Sequence, residues 1–89
     1  MSLPLCPVVL AILDAEPRTA EGVARELAQR HIMEAPPAHE AATITLRRLQ
    51  RARLVYTAAG RPHATFRLTQ RGRRELAFQR QVARRLARV

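Results

Sequence analysis

The chain has 89 residues, a formal net charge of +9 and a hydrophobic content of 47%, with one tyrosine and two phenylalanines as its only aromatic residues. This length predicts one domain with a small aliphatic core, which dimerisation would help to stabilise. Cys6 is the only cysteine, which excludes an intrachain disulfide and favours a reducing cytoplasm. No apolar run approaches the roughly 18 residues that a membrane span needs, and the apolar start lacks a basic leader, so neither a membrane anchor nor a signal peptide is expected.

Charge is divided unevenly along the chain. Residues 1–40 carry three arginines and six acidic residues, whereas residues 41–89 carry thirteen arginines and a single acidic residue, Glu75. Every cation is an arginine, which a GC-rich genome can produce, so only the distribution is informative. An excess of positive charge that is confined to one half of the chain indicates an anionic partner or surface. The alternative is a basic surface that follows from biased composition alone.

Two helices are predicted first, from apolar residues at helical spacing. Pro7 suits the first turn of a helix over about residues 6–15. Thr19 is the expected N-cap of a second helix over about residues 20–31. Gly22, near the start of that helix, would permit close approach by a neighbouring helix or by DNA.

The third helix is predicted over about residues 38–53, because the Pro36–Pro37 pair disfavours helix at the residues before it. One side of this helix is suited to a small core and consists of Ala42, Thr45, Leu46, Leu49 and Ala52. The other side consists of Glu40, Thr43, Arg47, Gln50 and Arg51, with Ile44 and Arg48 on its flank. A helix in a DNA groove needs small groups near base edges and cations near phosphates, so we interpret this segment as a recognition helix.

A β-hairpin and a last helix are predicted after it. Strand character over residues 54–57 and 64–68 flanks a turn that contains Gly60, so residues 57–64 would form a wing. Thr69 is the expected cap of a helix over about residues 70–88. An apolar line runs along it, through Phe78, Val82, Leu86 and Val89. That line would be exposed in a monomer, which predicts a partner helix from a second subunit; the alternative is that it folds back on the first helix.

Three stretches of the sequence follow the pattern of a known family: VVLAILDAEPRTAEGVARELAQR, TLRRLQRARLV and FRLTQRGRRELA. The family's L-x-R-L and L-V are matched by Leu46, Arg48, Leu49, Leu54 and Val55, and its Y-x-L-T-x-x-G by Phe66, Leu68, Thr69 and Gly72. Thr43 stands about where the family often has a tyrosine, and Arg53 where it usually has a glycine. The chain thus resembles the PadR-like group of bacterial and archaeal transcriptional regulators, and more loosely the MarR-like group.

The resemblance implies one winged helix-turn-helix domain over residues 1–89, mostly α with a two-stranded β-hairpin. Its core would occupy about residues 5–70, and a long C-terminal dimerisation helix about residues 70–88. It also implies a DNA-binding regulator that acts as a homodimer.

Candidate DNA contacts follow from the predicted recognition helix and wing. Thr43, Ile44 and Arg47 are expected at base edges, where the arginine would bind guanine through two hydrogen bonds. The candidates for phosphate or minor-groove contacts are Thr19, Arg48, Arg51, Arg61 and His63. The alternatives are a solvated arginine face, an Ile44 that packs on the second helix, a wing loop that contacts nothing, and a Thr19 that only caps its helix.

The predicted function is a sequence-specific double-stranded DNA-binding regulator, a dimeric repressor that is cytoplasmic and associated with the nucleoid. The alternatives are a protein-interaction module that docks on an acidic partner and a non-specific architectural nucleic-acid-binding protein. No catalytic constellation stands out, and His31, His39, His63 and Cys6 match no metal-ligand spacing, so neither an enzyme nor a cofactor or metal site is expected. A small-molecule effector is not expected unless the dimer interface forms its pocket.

Overall fold

The computed structural model describes residues 5–58 and 64–88, which form four helices and one two-stranded antiparallel sheet. In chain order the elements are α1 Leu5–Ala15, α2 Ala20–Gln29, α3 Ala35–Arg51, β1 Val55–Ala58, β2 Thr65–Leu68 and α4 Gln70–Ala87. The predicted mostly helical architecture with one β-hairpin is confirmed, and the arrangement is compatible with a winged helix. Three predicted site residues, Arg61, His63 and Val89, lie outside the described residues.

The buried hydrophobic core is aliphatic over the described ranges, as the composition predicts. Its largest fully buried side chains are Val9, Leu10, Ile12, Val23, Leu27, Leu46 and Val55. Full burial of one such side chain stabilises the folded state by roughly 1.5–3 kcal/mol. Leu68 from β2 and Leu76 from α4 close the core, and Phe66 packs against its edge. Strands and helices therefore depend on one another for burial.

α2 begins where the sequence predicts and ends two residues earlier. Its N-cap is Thr19, whose Oγ1 accepts a hydrogen bond from the Gly22 N–H at 3.0 Å. At the other end His31 has a φ of 58°, and the N–H of Ile32 donates to the Leu27 carbonyl at 3.0 Å. A left-handed residue followed by this bond is a Schellman end, which stops the helix at Gln29.

α3 begins at Ala35, three residues before the predicted start, so the prediction that Pro36–Pro37 precedes the helix is wrong. Both prolines lie in the first turn, where a backbone N–H has no partner within the helix and its absence costs nothing. The helix ends at Arg51 instead of residue 53, because Arg53 has a φ of 62° and the Leu54 N–H donates to the Leu49 carbonyl at 2.9 Å.

The hairpin pairs Val55 with Leu68 and Thr57 with Phe66. β1 begins at Val55, one residue later than predicted. A third segment, absent from the prediction, joins the sheet. The Phe66 N–H donates to the Arg18 carbonyl at 2.7 Å, and the Arg18 N–H donates to the Phe66 carbonyl at 3.4 Å. The connection between α1 and α2 thereby holds the base of the hairpin.

The start of α4 is fastened to the end of α3. Thr69 caps α4 by accepting from the Gly72 N–H at 3.0 Å, and its hydroxyl donates to the Arg53 carbonyl at 2.6 Å. The Thr69 N–H donates to the Leu54 carbonyl at 3.0 Å. Gly72 is buried at this contact, and a Cβ there would lie only 3.0 Å from the Leu54 carbonyl carbon and closer still to its oxygen.

Candidate nucleic-acid interface

α3 separates a buried side from a charged, exposed side. The predicted core positions Ala42, Thr45, Leu46 and Leu49 are 6% exposed or less, which confirms their burial. Ala52 is exposed, which corrects its predicted place in the core; the helix has already ended before this residue. The predicted contact residues lie on the outer side, where Ile44 is 45% exposed and Arg47, Arg48 and Arg51 are exposed.

Thr43 has less freedom than the sequence suggests. Its hydroxyl donates a hydrogen bond to the His39 carbonyl, one turn earlier, at 3.0 Å. A threonine hydroxyl has one proton to donate and two lone pairs that accept. In this geometry Thr43 therefore presents only acceptor positions, which suit an exocyclic base amine and not a base carbonyl.

The arginines of α3 have no carboxylate partner among the described residues. Four ion pairs occur in that part of the chain. They join Arg18 to Glu16 at 2.9 Å and to Glu26 at 3.8 Å, Arg30 to Glu26 at 2.9 Å, and Arg80 to Asp14 at 3.4 Å. The three acceptor residues, Asp14, Glu16 and Glu26, all belong to residues 1–40, and they neutralise arginines away from α3. The guanidinium groups of Arg47, Arg48 and Arg51 are left to solvent or to a bound anion.

Thr19 has an observed structural role, as the N-cap of α2. Its oxygen is occupied by the Gly22 N–H, and its hydroxyl proton is not engaged by any described residue. A hydroxyl in that state can donate to a phosphate oxygen at the helix N-terminus, where the backbone dipole also attracts anions. Capping accounts for the residue by itself, and the predicted phosphate contact stays a prediction.

The β-hairpin presents two exposed residues that are not among the candidates predicted from the sequence. Tyr56 and Arg67 are paired across the hairpin, and both are exposed. Their neighbours in the strands, Val55 and Leu68, are buried, so alternation along the strands turns the tyrosine and the arginine outward. That alternation was the signal that would have identified them. The wing tip, with Arg61 and His63, is not among the described residues.

The outer half of α4 leaves its apolar residues uncovered. Phe78 is 61% exposed, Val82 38% and Leu86 69%, although they recur at helical spacing. Beside them α1 and α4 form a shallow groove of about 370 Å³, lined in part by Val8, Ala11, Ile32, Leu76 and Ala83. The Arg80–Asp14 pair fastens α4 to α1. The helix thus does not fold back to bury this stripe within the described chain.

Two further observations bear on the class of site. Over residues 5–58 and 64–88, no three His, Cys, Asp or Glu side chains gather as a metal site would require. No helix within those ranges is both long and apolar enough to cross a membrane.

The residues that carry the family resemblance have structural roles. Leu46, Leu49, Val55 and Leu68 belong to the core, and the Thr-x-x-Gly pattern that ends at Gly72 forms the contact between α3 and α4. The resemblance therefore concerns the fold more directly than DNA contacts. In comparisons with known proteins, no protein-family model matches the chain and no curated protein matches it.

Proposed function

We propose that the protein is a sequence-specific double-stranded DNA-binding transcriptional regulator, a dimeric repressor of the winged-helix type. The observation that carries the proposal is the exposed side of α3, where Arg47, Arg48 and Arg51 have no carboxylate partner among the described residues, while the opposite side of the helix is buried in the core. Unpaired guanidinium groups on one face of a helix suit the phosphates and guanine edges of a duplex.

The dimensions of α3 fit this role. Its 17 residues give a length of about 25 Å at 1.5 Å per residue, and an α-helix fits within the major groove of B-DNA. Arg47 would bind guanine O6 and N7, and Arg48 and Arg51 would bind phosphates. The wing begins with β1, which follows α3 closely in the chain, and it would lie on the minor groove or the DNA backbone.

A second copy of the chain is the proposed occupant of the exposed stripe on α4. Three large apolar side chains at i, i+4 and i+8 match the stripe that one helix presents to another. A two-fold axis between two such helices would cover both stripes with the same surface. It would also present two recognition helices, which bind half-sites about 34 Å apart on one side of the duplex. The working place of such a regulator is the cytoplasm, at the nucleoid.

The test compares two arginine variants that lose the same charge. The wild-type protein first selects duplexes from a randomised library. Fluorescence anisotropy titrations then measure the affinity of each variant for selected and for random duplexes, and the ratio of the two affinities is the preference. Arg47→Ala is expected to lower the preference for selected DNA by roughly tenfold, the size of one two-pronged base contact. Arg84→Ala, at an exposed position on α4, is the matched control and should leave the preference unchanged.

Equal affinity of the wild type for selected and random duplexes would refute sequence-specific binding. Equal loss of preference in both arginine variants would refute the role given to α3.

An acidic protein partner is the second candidate. Exposed arginines also lie on α4, at Arg73 and Arg84, and directly after it, at Arg88. This helix is a different element from the proposed recognition helix. Absence of any DNA binding at low salt, together with salt-sensitive binding of an acidic peptide, would favour this candidate over the regulator.

A further inference from the structure

Glu40 is an acidic residue on the side of α3 that carries the arginines. It is exposed, and it precedes Ile44 by four residues and Arg47 by seven, the spacing of one helical face. No arginine or histidine in the described ranges lies within ion-pair distance of its carboxylate. We infer that Glu40 is a specificity-determining residue that accepts a hydrogen bond from the exocyclic amine of cytosine. This inference rests on the proposed function.

The chemistry of a duplex leaves few partners for this carboxylate. A carboxylate only accepts hydrogen bonds, and the phosphates that flank the groove repel it. The donors in the major groove are the N4 amine of cytosine and the N6 amine of adenine. Adenine places its N7 acceptor beside that amine, which disfavours a second negative charge, whereas cytosine does not. Cytosine is therefore the base that Glu40 selects.

The place of Glu40 along the helix sets where that cytosine lies. Glu40 and Arg47 are seven residues apart, or about 10.5 Å along the axis at 1.5 Å per residue. With Arg47 on a guanine, the cytosine is expected about three base-pair steps away in the same half-site, at 3.4 Å per step. Ile44, between the two, would face a thymine methyl group.

Repulsion from phosphates also predicts how Glu40 acts on other sequences. Removal of its charge weakens the repulsion from every duplex, so affinity for random DNA rises. Removal also abolishes the contact with cytosine, so the preference for the selected site falls. If Glu40 were only a solvated surface residue, its substitution would leave the base preference unchanged at every position of the binding site.

The experiment selects bound duplexes from one randomised library with four proteins: the wild type, Glu40→Gln, Glu40→Ala and Glu21→Gln. Glu21 is exposed in the first turn of α2, and its variant changes the net charge by the same amount. Circular dichroism melting of each protein checks that the fold is retained, as expected for exposed positions.

The wild type is expected to prefer cytosine about tenfold at one position of each half-site. Glu40→Gln should shift that position to adenine, which a glutamine binds through N6 and N7, and Glu40→Ala should lose the preference at that position alone. Glu21→Gln should keep the wild-type preference everywhere.

Identical base preferences in the wild type and both Glu40 variants would overturn the inference and leave the regulator intact. The same change in the Glu21 variant would overturn it too, because charge alone would then explain the result. A wild-type protein that selects no motif would refute the proposed function and the inference with it.

Discussion

Replacement of Gly72 by alanine is expected to destabilise the protein by about 2–4 kcal/mol. The added Cβ would lie 3.0 Å from the Leu54 carbonyl carbon and nearer to its oxygen, and both are backbone atoms that no side-chain rotation can move. The first turn of α4 must therefore move away from Leu54. That movement weakens the hydrogen bond from the Thr69 N–H to Leu54 and the one from the Thr69 hydroxyl to the Arg53 carbonyl.

The magnitude follows from three contributions. Each weakened hydrogen bond is worth about 1 kcal/mol, and forcing a methyl group into a packed site costs roughly 1–3 kcal/mol. The higher helix propensity of alanine offsets up to about 1 kcal/mol of this cost. In a domain of this size, each kcal/mol lowers the melting temperature by about 4–8 °C. Urea unfolding and thermal melting followed by circular dichroism measure the difference.

Gly22→Ala is the matched control. Gly22 also follows a capping threonine by three residues and donates its N–H to that threonine at 3.0 Å, as Gly72 does. A Cβ at Gly22 would meet Thr19 Oγ1 at 3.3 Å and the Arg18 Cβ at 3.4 Å, which is tight but not prohibitive. Stability should change by no more than about 1 kcal/mol, with helix propensity acting in its favour. Equal destabilisation by the two substitutions would show that the contact with Leu54 is not the cause.

Three further predictions concern α3 and α4. Arg53→Gly should stabilise the fold by about 0.5–1 kcal/mol in urea unfolding, since φ is 62° and glycine relieves the strain of a Cβ there at some cost in chain entropy; an unchanged midpoint would argue against strain. Leu86→Glu should convert a dimer into a folded monomer in sedimentation velocity, because the side chain is 69% exposed in the single chain; a dimer that persists would contradict the proposed helix contact. Arg48→Ala and Arg51→Ala should each reduce the slope of log K against log salt for DNA binding by about one, as one phosphate contact is lost; unaltered slopes would place these arginines off the backbone.

Patterns within one helix were sufficient to predict much of α3. The helical spacing of apolar and polar residues predicts that Ala42, Leu46 and Leu49 are buried and that Arg47 is exposed, and the structure confirms both. The predicted start of α3 is wrong, because residues before a proline generally avoid helix, whereas prolines in the first turn of a helix are tolerated. Both rules are local, and the second one prevails here, since the Ala38 N–H donates to the carbonyl of the N-cap residue Glu34 at 3.0 Å and so places both prolines in the first turn.

The candidate site was predicted in part. The exposed arginines of α3 follow from the sequence, and alternation along the strands would also have identified Tyr56 and Arg67 as exposed. The bond from the Thr43 hydroxyl to the His39 carbonyl is visible only in the structure. The sequence predicts that Glu40 lies on the polar side of the helix. Only the tertiary structure shows that its carboxylate has no ion-pair partner among the described residues, which leaves it able to contact a base.

From the sequence by itself came the order of elements, the aliphatic core, the threonine caps and the two sides of α3, because these depend on residues within about four positions of one another. The tertiary structure alone decided that Arg18 pairs with Phe66 and that Gly72 lies against Leu54. Those contacts join residues that are 48 and 18 positions apart in the chain. No periodicity encodes such distances, since they are set by how the helices and the hairpin share one core.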